Sequence, residues 1–184
     1  MRRHIDVARL QQPRALDLRN TADALPEFVK PEVLKTFEKH KVLNERELKA
    51  RTEINYEAYN KTINVEAQLM VLMANRYILP AALEYQTQVG QAVVAGKAAG
   101  APSKQAKALA KTLAKEIDAL KGMANTLAAA LEHNGGSADK HAKYFRDKVI
   151  PLMAKLRDAG DALELNIPHE IWPLPTYREM LFVK

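Results

Sequence analysis

The stretch INVEAQLMVLMANRYILPAALEY, residues 63–85, decides the fold. It is apolar at helical spacing on more than one face and carries almost no net charge. On a helical wheel at about 100° per residue, Ile63, Ala67, Met70, Ala74, Tyr77 and Ala81 line one side. Val65, Leu69, Leu72, Leu79 and Leu83 line the opposite side. Between them runs a narrow uncharged strip of Asn64, Gln68 and Asn75, continued by Gln86. A helix apolar on two faces needs cover on both, so the stretch is expected to be a central helix.

Working outward, Asn44 and Glu47 have the spacing of a reciprocal N-terminal capping pair. No strong stop follows until the glycines at 96 and 100, which predicts one helix over about 44–97. Pro80 sits inside it, deletes one backbone hydrogen bond and clashes with the carbonyl of Arg76. A kink near 76–80 is therefore expected, with two helices broken at Leu79 as the alternative.

Ser103 is a natural N-cap for a helix over about 103–133, with Leu109, Leu113, Ile117, Leu120, Leu127 and Leu131 on one face. Lys104, Lys107, Lys111 and Lys115 occupy the other, and read as its wet side. The run Asn134-Gly135-Gly136 ends that helix and Ser137 starts the next, over about 138–163. Phe145, Val149, Leu152, Leu156, Ala159 and Leu163 form its apolar seam, interrupted by Pro151.

Toward the N-terminus, Pro26 and Pro31 read as bracketing a turn before a short helix over 31–40, with Pro31 in its first position. Residues 1–18 read as a loose segment. The tail after 164 is rich in proline, and Trp172, Leu181 and Phe182 are apolar enough to be expected docked on the bundle. The fold class is all-α: an antiparallel bundle of three long helices, with a short helix 31–40 and a docked Pro-rich C-terminal tail. Residues 19–184 are expected to form a single domain.

Composition narrows the function. At 184 residues and 47 % hydrophobic, the chain supports one real core. It has no cysteine, which removes disulfides and thiolate zinc sites and fits a reducing, cytoplasmic compartment. No apolar stretch approaches the ~20 residues of a membrane span, and no signal peptide is recognisable. A net charge of +6 permits contact with nucleic acid, but no aromatic residue is interleaved with lysines as base stacking would want.

The chemistry-bearing residues have structural readings. Glu45 and Glu47 are two apart on a helix, so they point away from each other and cannot share an ion. Glu53 and Glu57 share a face, yet no Glu has a His three residues on, as di-iron bundles require. His133 and His141 flank one turn and are placed to meet, but two histidines without a carboxylate or thiol make a poor zinc site. No phosphate-binding glycine loop is present, and Ser103 and Ser137 are both read as helix caps. Pro173-Leu174-Pro175 has the form of a polyproline ligand, although Trp172 and Tyr177 beside it favour docking. The residues alone point to no active site.

Four stretches carry a resemblance: RNTADALPEFV (19–29), FEKHKVLNERELKARTEINYEAYNKTINVEAQLMVLMANRYILPA (37–81), KVIPLMAKLRDAGDALE (148–164) and IPHEIWPLPTYREMLF (167–182). They resemble the C-terminal region of type III glutamine synthetase over residues 19–184, with residues 1–18 outside the match. The resemblance implies a part of an ATP-dependent glutamate–ammonia ligase of nitrogen metabolism, assembled as double-ring homo-oligomers and requiring magnesium or manganese. The family's metal, nucleotide and phosphate-clamping residues belong to an upstream domain whose motifs are absent here. No catalytic, cofactor-binding or metal residue is carried over, and the chain alone is expected to be inactive. A stand-alone helical protein–protein interaction module is the alternative. The expected interface is the outer side of the central helix with its polar strip: Asn64, Gln68, Leu69, Leu72, Asn75, Leu79 and Leu83.

Overall fold

A computed structural model of the protein describes residues 18–133, 135–175 and 177–182. The expectation of a loose segment at residues 1–18 falls almost wholly outside the described residues. In chain order the helices are α1 (Thr21–Phe28), α2 (Pro31–Lys39), α3 (Glu45–Met73), α4 (Leu79–Ala98), α5 (Lys104–Leu131), α6 (Ala138–Tyr144), α7 (Ile150–Glu164) and α8 (Tyr177–Leu181). There is no strand among the described residues, so the all-α reading holds. Two compact units, Met1–Tyr59 and Asn60–Lys184, divide the chain within α3.

In the first unit, helix α1 runs through Pro26 and narrows the turn expected between Pro26 and Pro31 to Val29 and Lys30. Asn20 caps the helix, its side-chain oxygen accepting from the Asp23 amide at 2.9 Å. Pro26 forfeits one bond to the carbonyl four residues back, and burial of Ala22 and Leu25 offsets that loss. Helix α2 begins at Pro31 as expected and leaves no residue fully buried. Its end closes by paired bonds, Val42 N–H to the Phe37 carbonyl at 3.1 Å and Lys41 N–H to the Glu38 carbonyl at 3.0 Å. That closure holds Lys41 at φ 53°, where glycine is the usual occupant. The cap of α3 is reciprocal: Glu47 N–H donates to the Asn44 side chain at 2.9 Å, and Asn44 N–H to the Glu47 carboxylate at 2.8 Å.

Helices α3 and α4 form one helical run of 54 residues, and the π-turn that joins them, Ala74–Ile78, lies in the second unit. This is the form the discontinuity expected near 76–80 takes. Leu79 N–H donates five residues back to the Ala74 carbonyl, and Pro80 follows immediately. The same arrangement recurs before Pro151: a π-turn, Phe145–Val149, closed by Ile150 N–H to the Phe145 carbonyl. Proline cannot supply the α-helical donor and crowds the carbonyl four back; one wide turn ahead of it accommodates both effects.

The core sits around α5, which packs against α4, α7 and both π-turns. Leu113, Ile117, Leu120, Ala124 and Leu127 are buried at alternating steps of four and three. A short turn returns α5 along α4: Ala101 N–H reaches the Gly96 carbonyl at 2.9 Å and Gly100, at φ 72°, takes the left-handed position. From the other side come Ala142, Phe145, Val149, Leu156, Gly160 and Leu163. Ser137 occupies the N-cap position of α6, but its hydroxyl donates to Asp139 instead of accepting from an amide, which corrects its reading as a side-chain cap.

The tail docks only in part. Ile167 and Trp172 are buried, held by Ile171 and Trp172 amides that both donate to the Pro168 carbonyl at 3.0 Å. Leu181 and Phe182, expected to dock, are exposed. Helix α8 is five residues long and cannot bury every apolar side chain it carries.

A candidate interface on the long helix

The side chains of residues 63–85 separate sharply by size. On the inner side, Ala67, Ala74, Ala81 and Ala82 are buried together with Ile78. On the outer side, Val65 is 64 % exposed, Leu69 52 %, Leu72 38 % and Leu83 46 %, with Leu79 half-buried. Tyr77, assigned by spacing to the inner side, is exposed as well.

The expected double cover is therefore corrected: the long helix is covered once, and α5 is the central helix. The physical reason is closeness of approach. Leu113, Leu120 and Leu127 are buried on α5, and Ala74, Ala81 and Ala82 are buried on the π-turn and α4, which pack against it. Large residues on one helix fill the space left by small ones on the other. The leucines at 69, 72 and 83 lie on the other side of the helix and stay outside.

The polar strip also divides. Asn64, half-buried, accepts from the Gln68 side-chain amide at 3.3 Å, and Gln68 itself is exposed. Asn75 stands on the π-turn, where its side-chain amide donates to the Val71 carbonyl at 2.8 Å and its oxygen accepts from Lys121 Nζ at 2.6 Å. Asn75 thus ties the π-turn to α5, while Asn64 and Gln68 remain on the surface beside the exposed leucines.

The other candidates resolve locally. Lys104, Lys107, Lys111 and Lys115 are exposed. His133 and His141 do meet, with ring centroids 6.1 Å apart; His133 stacks on Tyr144 at 4.1 Å and His141 lies against Phe145 at 4.7 Å. No three His, Asp or Glu among the described residues come together as a metal set, so no metal step is built on them. Two carboxyls near α6 and the second π-turn sit below the ordinary aspartate range: Asp139 through the hydrogen bond from Ser137, and Asp147 through that from Arg146. No helix among the described residues is long and apolar enough to cross a membrane.

Sequence reasoning missed a cavity of about 720 Å³ between the first π-turn, α5, α7 and the tail. Its only signal was a glycine, Gly160, in the interior of α7 and on the apolar seam.

The family model of the glutamine synthetase C-terminal domain matches residues 11–97, which contain the whole 63–85 stretch. The match begins before residue 19, so residues 11–18, left out of the resemblance, belong to it. A glutamine synthetase of Bacteroides fragilis (strain YCH46) is 30 % identical over 153 residues, 78 % of this chain and 21 % of the relative. The type-3 glutamine synthetase of Dictyostelium discoideum is 28 % identical over 189 residues, 97 % of this chain and 26 % of the relative. A glutamine synthetase of Butyrivibrio fibrisolvens is 26 % identical over 179 residues, 90 % of this chain and 24 % of the relative. The chain thus spans about a quarter or less of the length of these relatives. The chain therefore belongs to the glutamine synthetase family, which it matches in the C-terminal domain.

Proposed function

We propose that this domain serves as the accessory and assembly region of a type III glutamine synthetase, and that it carries none of the ligase chemistry itself. In this reading glutamate, ammonia and ATP, with magnesium or manganese, are handled by a catalytic domain of the parent enzyme. The helical domain supplies a surface that another part of the enzyme, or another subunit, covers.

The observation that carries the reading is the outer face of the long helix. Val65, Leu69, Leu72 and Leu83 repeat at helical spacing and are all exposed, although the same helix has a buried inner seam of its own. Single exposed apolar side chains are ordinary; an aligned row of large ones marks an interaction surface. The uncharged neighbours Asn64 and Gln68 are compatible with burial, because they satisfy each other's hydrogen bonds in part.

Sedimentation velocity on the purified chain over a concentration series tests this. The wild type is expected to self-associate at tens of micromolar, since this row is then available to a second copy. Leu69→Glu combined with Leu83→Glu is expected to give a monomer with unchanged helicity. A monomeric wild type at every concentration would count against the assembly role. A glutamine-synthesis assay on the same chain is expected to show no turnover with ATP, glutamate and ammonia; turnover would overturn the division of labour.

A further inference from the structure

We infer that the occupant of the outer face is the same face of a second copy, paired antiparallel about a two-fold axis near residue 71. The inference rests on the assembly reading and adds its partner, direction and register. In a two-fold pair one patch meets itself, so the charges on it must complement their own rotated image.

Those charges are few. Between Lys61 and Glu84 the long helix carries only Glu66 and Arg76, both exposed and neither in an ion pair among the described residues. Arg76 comes seven residues after Leu69, four after Leu72 and seven before Leu83, which places it inside the apolar row. Glu66 stands at the edge of the row, next to Val65. A guanidinium inside an apolar row resists burial unless an opposite charge meets it.

The four charges select the direction and the register. A parallel pair in register sets Arg76 beside Arg76 and Glu66 beside Glu66, and both contacts repel. An antiparallel pair centred on residue 71 brings Glu66 of each copy level with Arg76 of the other. Displacing the centre to residue 75 brings Glu66 level with Glu84 instead, a contact between like charges. Displacing it the other way, to between residues 68 and 69, brings Arg76 level with Lys61, again like against like. Lys61 and Glu84 are both exposed, so both displaced registers carry that penalty. The favoured register also brings Val65 level with Tyr77 of the second copy. Tyr77 is 48 % exposed, and a tyrosine suits such a place because its ring packs while its hydroxyl stays wet.

The chain has no cysteine, so single thiols read the register directly. On mild oxidation of the full chain, Leu72→Cys is expected to form a disulfide-linked dimer. Its two copies differ in level by only about 3 Å at 1.5 Å per residue, within reach of a disulfide. Leu83→Cys, about 36 Å in level from its own image, is expected to stay unlinked. In sedimentation at low salt, Glu66→Arg and Arg76→Glu are each expected to weaken self-association at least about fivefold. A chain carrying both changes restores the opposite pairing and is expected to return to within about twofold of the wild type. Linkage of Leu83→Cys as readily as Leu72→Cys, or a doubly changed chain no better than either single variant, overturns the antiparallel register and leaves the assembly reading standing. A wild type that stays monomeric at every concentration overturns both.

Discussion

The long helix and α5 are both amphipathic runs of leucine, alanine and methionine, yet they use their large residues in opposite ways. On α5 the leucines at 113, 120 and 127 are fully buried and the exposed side is lysine-rich. Within residues 63–85 of the long helix the residues buried are four alanines and Ile78, and Leu69, Leu72 and Leu83 face outward. Hydrophobicity alone ranks the outer face of residues 63–85 as core. The size match between the alanines of the π-turn and α4 and the leucines of α5 is what assigns the inner face instead. The leftover large residues are then free for a partner, which is the basis of the proposed assembly role.

Substitutions can break that comparison. The largest effect is expected at Leu120→Ala or Leu127→Ala, each destabilising by about 2–5 kcal/mol in chemical denaturation, because a fully buried leucine leaves a cavity. Next comes Ala82→Leu, which puts a large side chain into the small half of the seam and is expected to cost about 1–3 kcal/mol. Asn75→Ala, which strips the π-turn of its bonds to Val71 and Lys121, is expected to cost about 1 kcal/mol. Leu72→Ala on the outer face is expected to change the stability of the dissociated chain by less than about 0.5 kcal/mol. If Leu72→Ala were as damaging as Leu120→Ala, the two faces would not differ as described.

The smallest effect concerns charge. Asp139 has its folded pKa depressed by the Ser137 hydroxyl, so its contribution is present above the ordinary value of 3.8 and is lost as pH falls through the folded value. Ser137→Ala is expected to move that titration upward toward 3.8, read by NMR titration of the carboxyl, and to lower stability at pH 7 only slightly because the group is exposed.

Much of the architecture was legible from residues. The cap at Asn44 and Glu47, the start at Ser103, the seam from Leu113 to Leu127 and the interruption at Pro80 follow from local rules of spacing, capping and proline chemistry. Those rules act within one helix. Which side of residues 63–85 is covered depends on a second helix, and spacing within the first carries no information about it. Helix α1 was hidden because Pro26 reads as a breaker, while the Asn20 and Asp23 cap that starts it was the stronger signal. The π-turns escaped because proline predicts a disturbance without specifying whether the backbone bends or widens. Trp172 docked as its size demanded, but the same rule overreached at Leu181 and Phe182, where the chain offers too short a helix to bury them. Of the candidate interface, the exposed leucines and Gln68 lie together, Leu79 is half-buried, and Asn75 serves the core.

The absence of cysteine makes the central claim directly measurable, because one introduced thiol reports one position. Leu69→Cys can be labelled with a maleimide over a series of chain concentrations, and Lys111→Cys on the exposed side of α5 serves as the reference. The account predicts that labelling at 69 slows as concentration rises while labelling at 111 does not. Equal and concentration-independent rates at both positions, up to tens of micromolar, would contradict it.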